Sequence, residues 1–361
     1  MEPCEGELSS LVEEMLGQCL GYAAPREMLR ARRASQALLT RVEECLPGLP
    51  VNALDRNGAT LLHLAAGLGH DGIARRVLER RADVDGEHRR FGTALHLCAE
   101  RGQADLAQLL LDYSANIDRG IADTSTTPLH AAAARGHVEV AQLLLHSRAG
   151  ADAANGAGAQ PLHLAAAKGH ADMTELLVAG RADANAASSD GTAPLHFAAR
   201  QGHLKPAQLL LHVGAETDVV DSAGHSPLSF ASQENHLEVV KLLLDYGAAA
   251  NSVTAAVPGA TGTVPLLMVA ERGHTELMLL LLEHHADVEA TDEDGLSALH
   301  LAALAGHEAV TRLLLRHAAA QSLHVSAMTR SKAAAMAQAG GHTVTAMLLE
   351  VEDKEESEIL S

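Results

Sequence analysis

The sequence predicts an all-α solenoid in which one helix–turn–helix unit is repeated along the chain. Three observations predict this fold: a four-residue motif recurs every 33 or 34 residues over its first five copies, a Gly-His marker keeps register with it, and Trp is absent. The motif ends in a histidine, and these motif histidines are His63, His96, His130, His163, His196 and His300. A fixed period of this length indicates stacked units that bury their apolar faces on one another.

Residues 123–152 show how one unit is expected to fold. Thr127 can cap a helix through its hydroxyl, and Pro128 suits the first helical position because its missing N–H costs nothing there. Gly136 is expected to end this helix in the left-handed conformation. A second helix should begin near Val138 and present one apolar face. Both helices are shorter than the roughly 12–15 residues that are marginal in isolation, so neighbouring units must stabilise them.

Two copies of the motif have lost the histidine. They are Ser226-Pro227-Leu228-Ser229 and Val264-Pro265-Leu266-Leu267. Between Ser229 and Leu267 the spacing is 38 residues rather than 33, which indicates an insertion of five residues. The insertion predicts an enlarged hairpin loop at 251–264. This loop is either a tolerated surface insertion or a finger that contributes to partner binding.

The full motif is Thr127-Pro128-Leu129-His130, and its closest copies include Ala193-Pro194-Leu195-His196. The Gly-His markers that follow are Gly69-His70, Gly136-His137, Gly169-His170, Gly202-His203, Gly273-His274 and Gly306-His307. Together these motifs resemble the ankyrin repeat. The resemblance implies an ankyrin-repeat stack with short β-hairpin-like turns over residues 51–349. It has eight motif-bearing repeats and a degenerate C-terminal repeat, in which Lys332-Ala333-Ala334-Ala335 replaces the motif.

The two ends of the chain are expected to differ from the stack. Residues 1–50 are interpreted as a helical N-terminal cap that includes a degenerate repeat, because Ser10 and Glu13 form a capping box before an apolar helical face. A partner-binding helix is the alternative for this segment. Residues 350–361 are interpreted as a solvated acidic tail.

Composition excludes several classes of function. The formal net charge of −19 argues against binding to nucleic-acid phosphates and against docking on anionic membranes. The four cysteines form no Cys-x-x-Cys pair, and no signal peptide or span of roughly 20 apolar residues is evident. We therefore expect a monomeric cytoplasmic protein, with the nucleus as the alternative location.

The 22 histidines raise the question of metal binding or acid–base catalysis. Equivalent histidines recur once per repeat, whereas the ligands of a tetrahedral zinc ion must converge on one point. The resemblance instead implies that the six motif histidines are structural, bonding neighbouring hairpin and helix groups. No phosphate-binding loop, nucleophile elbow or zinc-protease motif is present. We predict no enzyme activity, metal or cofactor.

The resemblance also implies that hairpin tips and the last exposed positions of the first helix line a concave groove that binds a protein partner. Carried over by register, the partner-binding candidates are Arg56, Arg89, Arg90, Arg101, Asp123, Arg135, Lys168, Asp190, Arg200, Gln201, His225, Glu234, Arg272 and Glu293. Basic residues predominate in the first five motif-bearing units, which suggests a partner with an acidic segment. The alternative is that these basic side chains are merely solvated.

These observations predict a non-catalytic protein–protein interaction module or adaptor. Two alternatives remain open at this point. The first is a structural spacer or scaffold without a dedicated partner. The second is an enzyme, which would require a cluster of acid–base residues that the sequence does not show.

Overall fold

The computed structural model describes residues 51–52, 59–251, 264–321 and 325–350. The predicted N-terminal cap, Arg56, residues 252–263 of the enlarged loop and residues 351–361 of the acidic tail lie outside the described residues. In the described part of the chain the regular elements are helices, and the only β pairing is the two isolated antiparallel bridges His88–Gly92 and Thr291–Ser297. The all-α prediction is confirmed.

The helices occur in pairs. In each pair, the odd-numbered helix begins at or near the motif and is called the inner helix, and the even-numbered helix is called the outer helix. The described helices are α1 (Leu61–Leu68), α2 (Asp71–Glu79), α3 (Ala94–Arg101), α4 (Ala104–Asp112), α5 (Pro128–Arg135), α6 (Val138–His146), α7 (Pro161–Lys168), α8 (Ala171–Ala179), α9 (Pro194–Arg200), α10 (Leu204–His212), α11 (Pro227–Gln233), α12 (Leu237–Asp245), α13 (Pro265–Arg272), α14 (Thr275–Glu283), α15 (Ala298–Ala305), α16 (Glu308–Ala320), α17 (Ala327–Ala339) and α18 (343–350).

The chain divides into two compact units. The first unit contains the described residues up to Ala165 together with Asp172–Asp183, and the second contains Ala166–Ala171 and the described residues from Ala184 onward. In the first unit, inner helices α1, α3 and α5 pack in sequence, as do outer helices α2, α4 and α6. In the second unit, inner helices α9, α11, α13, α15 and α17 pack in the same manner. Each unit is therefore two helical layers with a shared apolar core.

The α5–α6 pair shows why these residues form these elements. Thr127 is the N-cap of α5, Pro128 is its first residue, and Gly136 ends it with φ of 74°. Outer helix α6 turns Val140 and Leu144 into the core, where both are completely buried. The sequence prediction for this pair is confirmed.

Besides the packing of the helices, hydrogen bonds join successive hairpins within each unit. An Asp or Asn side chain in one hairpin accepts a hydrogen bond from a backbone N–H in the next, at 2.7–2.9 Å. These acceptors are Asn52, Asp85, Asp118, Asp152, Asn185, Asp218 and Asn251. The bond from Asp287 N–H to Asn251 spans the inserted segment. The insertion therefore leaves this junction intact.

The last described pair begins earlier than the motif register suggests. Helix α17 starts at Ala327, ahead of Lys332, because Ser326 caps it by accepting a hydrogen bond from the Thr329 N–H. Ala333 and Ala337 are buried where it packs on α15. The inner helix of this repeat is thus 13 residues long.

Substituting two left-handed glycines should separate backbone strain from lost contact. A Cβ on Gly202 (φ 70°) would lie 2.5 Å from Nδ1 of His236, whereas a Cβ on Gly214 (φ 93°) would meet no atom within 4 Å. Gly214→Ala should lower the unfolding free energy by about 1–2 kcal/mol through strain alone. Gly202→Ala should cost about 1 kcal/mol more, because it displaces a ring that donates to the Arg200 carbonyl.

Urea unfolding of the full chain measures both effects. Equal destabilisation by the two substitutions would show that the contact between Gly202 and His236 contributes nothing to stability.

Candidate functional site

Four of the motif histidines make hydrogen bonds with both ring nitrogens: His63, His96, His130 and His196. In the first repeat, Nδ1 of His63 accepts from the backbone N–H of Thr60 at 3.1 Å. Because this nitrogen accepts, the proton must be on Nε2, which donates to the carbonyl of Gly92 at 2.8 Å. Gly92 immediately precedes the next motif. One neutral imidazole therefore joins the start of its own helix to the hairpin of the following repeat.

The same geometry recurs within each unit. The Nε2–H of His96 donates to the Thr126 carbonyl at 2.9 Å, and that of His130 donates to the Ala159 carbonyl at 2.9 Å. The Nε2–H of His196 donates to the His225 carbonyl at 3.1 Å. In every case the acceptor carbonyl belongs to the residue before the next motif. The His163 ring accepts at Nδ1 from the Gln160 N–H, and the His300 ring from the Ser297 N–H.

Burial keeps these rings neutral. It lowers the pKa of His96 to about 4, although the hydrogen bond to the Thr126 carbonyl and the charge of Glu87 act in the opposite direction. Burial also lowers the pKa values of the other motif histidines His130, His196 and His300. Nearby charges are thus weaker than desolvation here.

The histidines at the Gly-His position, including His236 of the variant pair Asn235-His236, hold the last turn of the preceding inner helix. The Nε2–H of His137 donates to the Glu100 carbonyl, that of His236 to the Arg200 carbonyl and that of His307 to the Glu271 carbonyl, at 2.9–3.1 Å. These acceptors lie at or next to the predicted groove positions Arg101, Arg200 and Arg272. The backbone there is therefore held by the scaffold, while the side chains of Arg200 and Glu271 are exposed.

We call the hairpin tips and the last turns of the inner helices the groove face of each unit. In the first unit, Arg89 and Arg90 are exposed at a hairpin tip, and the guanidinium of Arg90 lies 5.4 Å from the centre of the Phe91 ring. Arg101 is partly buried and Asp123 is exposed.

Two arginines on this side of the first unit are already paired. Arg135 donates to Glu100 at 2.6 Å, and Arg119 donates to Glu87 at 2.5 Å. Both pairs join consecutive repeats, and their side chains are more than a third exposed. Such pairs contribute little stability, but they reduce the positive charge that a partner would meet. Arg135 is therefore a weaker candidate than Arg89 or Arg90.

The second unit carries the remaining candidates. Among them, the exposed groove-face residues are Lys168, Asp190, Arg200, Gln201, Glu234, Arg272 and Glu293. Hydrogen bonds from the Ser188 and Thr192 hydroxyls hold the pKa of Asp190 at about 2. His225 is partly buried and lies 3.3 Å from a carboxylate oxygen of Asp221.

Sequence reasoning missed the aromatic residues of the groove face. The guanidinium of Arg200 lies 5.5 Å from the centre of the Phe230 ring, and the His225 ring lies 5.1 Å from it on the hairpin side. The chain has only three phenylalanines. Aromatic side chains and Arg are enriched in interface cores. Three phenylalanines in a chain otherwise poor in aromatic residues could therefore have indicated these positions.

Within the described residues, no group of three or more His, Cys, Asp or Glu side chains is arranged to hold a metal ion, and no helix combines the length and apolarity needed to cross a membrane. Cys98 is completely buried, and burial raises the pKa of its thiol.

A family model described as ankyrin repeats (3 copies) matches overlapping segments of the chain. The matched residues are 34–121, 81–157, 129–221, 162–254, 228–326 and 266–355. The chain belongs to the ankyrin-repeat family. Ankyrin repeats are in general protein–protein interaction modules and are typically non-catalytic. The comparison with curated proteins found no match.

Acid should destabilise the stack through its buried motif histidines. A histidine with a folded pKa below its unfolded value contributes full stability above the unfolded pKa, near 6.5. That stability is lost as pH falls towards the folded pKa. For His96, whose folded pKa is about 4, the loss at pH 5 relative to pH 7 is about 2 kcal/mol.

Urea unfolding of wild type and His96→Gln at pH 7 and pH 5 tests this. Glutamine cannot titrate, so the stability gap between the two proteins should narrow at pH 5. A gap that is the same at both pH values would contradict the assignment of His96 as a buried neutral base.

Proposed function

We propose that this ankyrin-repeat protein is a non-catalytic adaptor that binds a protein partner through its groove face. One observation carries the proposal. Most motif histidines and the histidines of the Gly-His position make hydrogen bonds that recur between repeats, whereas the exposed groove-face side chains change along the chain, from Arg89 and Arg90 at one hairpin tip to Glu293 and Asp294 at another. Side chains that the scaffold does not require, held on a fixed backbone, are the expected features of a recognition surface.

The first unit supports recognition of an acidic segment. Arg89 and Arg90 are adjacent, exposed and directed from one hairpin tip, in a protein whose net charge is −19. A local positive patch on an acidic protein steers an oppositely charged segment and discriminates against basic ones. Because Arg135 is paired with Glu100, the tip that carries Arg89 and Arg90 is the better candidate for contact with an acidic segment.

A stable complex needs more than this tip. Specific interfaces bury about 800 Å² on each partner, which requires contacts from several repeats. The partly buried rings of Phe91 and Phe230, each with an arginine above it, are suited to act as anchors between more weakly contributing neighbours.

Charge reversal at the hairpin tip tests the proposal. Arg89→Glu with Arg90→Glu should weaken binding of the partner captured from source cells by about tenfold, and should reduce the salt dependence of that binding. Arg75→Glu with Arg76→Glu is the matched control, because these arginines are exposed on outer helix α2 of the same unit.

Affinity for the captured partner is measured with purified full-length variants at two salt concentrations. If the outer-helix control weakens binding as much as the hairpin variant, net charge rather than the groove face is responsible, and the proposal fails.

A further inference from the structure

The inner helices of the second unit carry an apolar strip. In five successive inner helices, one residue is partly exposed: the residue directly after the motif histidine, or directly after the amino acid that replaces this histidine. These residues are Phe197, Phe230, Met268, Leu301 and Met336. In the first unit, Leu64 and Leu97 at the same register position are completely buried, whereas Ala131 and Leu164 are partly exposed. Because α9, α11, α13, α15 and α17 pack in sequence, the five residues of the second unit follow one another along its layer of inner helices.

The surroundings of Phe230 show which way the strip faces. Its ring contacts His225 of the hairpin on one side and the guanidinium of Arg200, at the end of α9, on the other. Phe230, Gln233 and Glu234 are spaced i, i+3 and i+4, so they share one face of α11. The apolar strip therefore lies on the groove face, next to its charged side chains.

Carboxylates border the strip along α11, α13 and α15. The exposed groove-face carboxylates there are Glu234, Glu271, Glu293 and Asp294. None of them joins an ion pair in the described part of the chain. Arg272 is the one exposed cation among the described groove-face positions of these three repeats, and residues 252–263 contain no charged amino acid. This border is thus strongly acidic.

We propose that the second unit binds a protein segment in which apolar side chains are flanked by Lys and Arg. This inference rests on the proposed groove-face function. The strip offers the apolar contacts, and the four carboxylates select the sign of the flanking charge. An acidic segment would bring like charges together here. The second unit therefore prefers the opposite charge to the one expected at the Arg89–Arg90 tip of the first unit.

The length of the segment follows from helix packing. Packed helices lie about 8–10 Å apart, so the four gaps between five inner helices span about 32–40 Å. An extended chain advances about 3.3 Å per residue and covers this span with about 11 residues. A linear peptide of that size is therefore an adequate probe.

The test is selection from a random library of displayed peptides, each about 12 residues long, on the full-length protein. Selected sequences should be enriched in Lys and Arg together with Leu, Ile, Met or Phe. Their binding should weaken as salt is raised, because the charges involved are exposed.

Two pairs of variants then locate the binding site. The groove variant carries Glu234→Lys, Glu271→Lys, Glu293→Lys and Asp294→Lys. Its control reverses four exposed outer-helix carboxylates of the same unit, through Glu238→Lys, Asp245→Lys, Glu276→Lys and Glu283→Lys. Leu304→Ser on the groove face is matched by Leu279→Ser on α14, because these leucines are 44% and 46% exposed.

The groove variant and Leu304→Ser should each weaken the binding of selected peptides by about tenfold or more, whereas the controls should change their affinity by less than about twofold. If the selection enriches acidic peptides, and these peptides do not bind the groove variant, this inference is overturned while the groove-face function stands. Failure to enrich any peptide would also overturn the inference. Peptides whose binding responds equally to groove and control variants would contradict both proposals.

Discussion

The hydrogen bond from a motif histidine to the carbonyl before the next motif is the constraint on which the junctions between the repeats that contain it depend. It requires a neutral ring, a backbone N–H that donates to Nδ1 and a carbonyl 29 or 30 positions ahead in the sequence. Burial supplies the neutral state, as the lowered pKa of His96 shows. Because each bond joins one repeat to the next, helices too short to persist alone become parts of one cooperative unit.

This constraint divides the residues of each repeat into two groups. Motif residues, Gly-His histidines and hairpin Asp or Asn side chains hold the backbone, and their partners recur from repeat to repeat. The Arg200 and Glu271 carbonyls accept bonds from the next repeat, while their side chains remain exposed on the groove face. Charge and apolar character can therefore change along the groove face without altering the fold, which is how two units of one chain come to offer different surfaces.

The fold was predictable because it depends on local signals that repeat. Thr127, Pro128 and Gly136 define the limits of α5 from sequence alone, and the period fixes the order of packing. The site was less predictable, because pairings between repeats depend on side-chain conformation. The register placed Arg135 in the groove but could not show its ion pair with Glu100. It also gave no warning that Ser326 starts α17 at Ala327, since a capping serine outside the motif carries no periodic signal.

The role of the motif histidines is tested most directly by nitrogen-15 NMR of the imidazole rings in the full-length protein at pH 7. His63, His96, His130 and His196 should be neutral, with the proton on Nε2 and an accepting Nδ1. Rings that are protonated on both nitrogens, or that carry the proton on Nδ1, would contradict it, because neither state allows the backbone N–H at the start of the inner helix to be accepted.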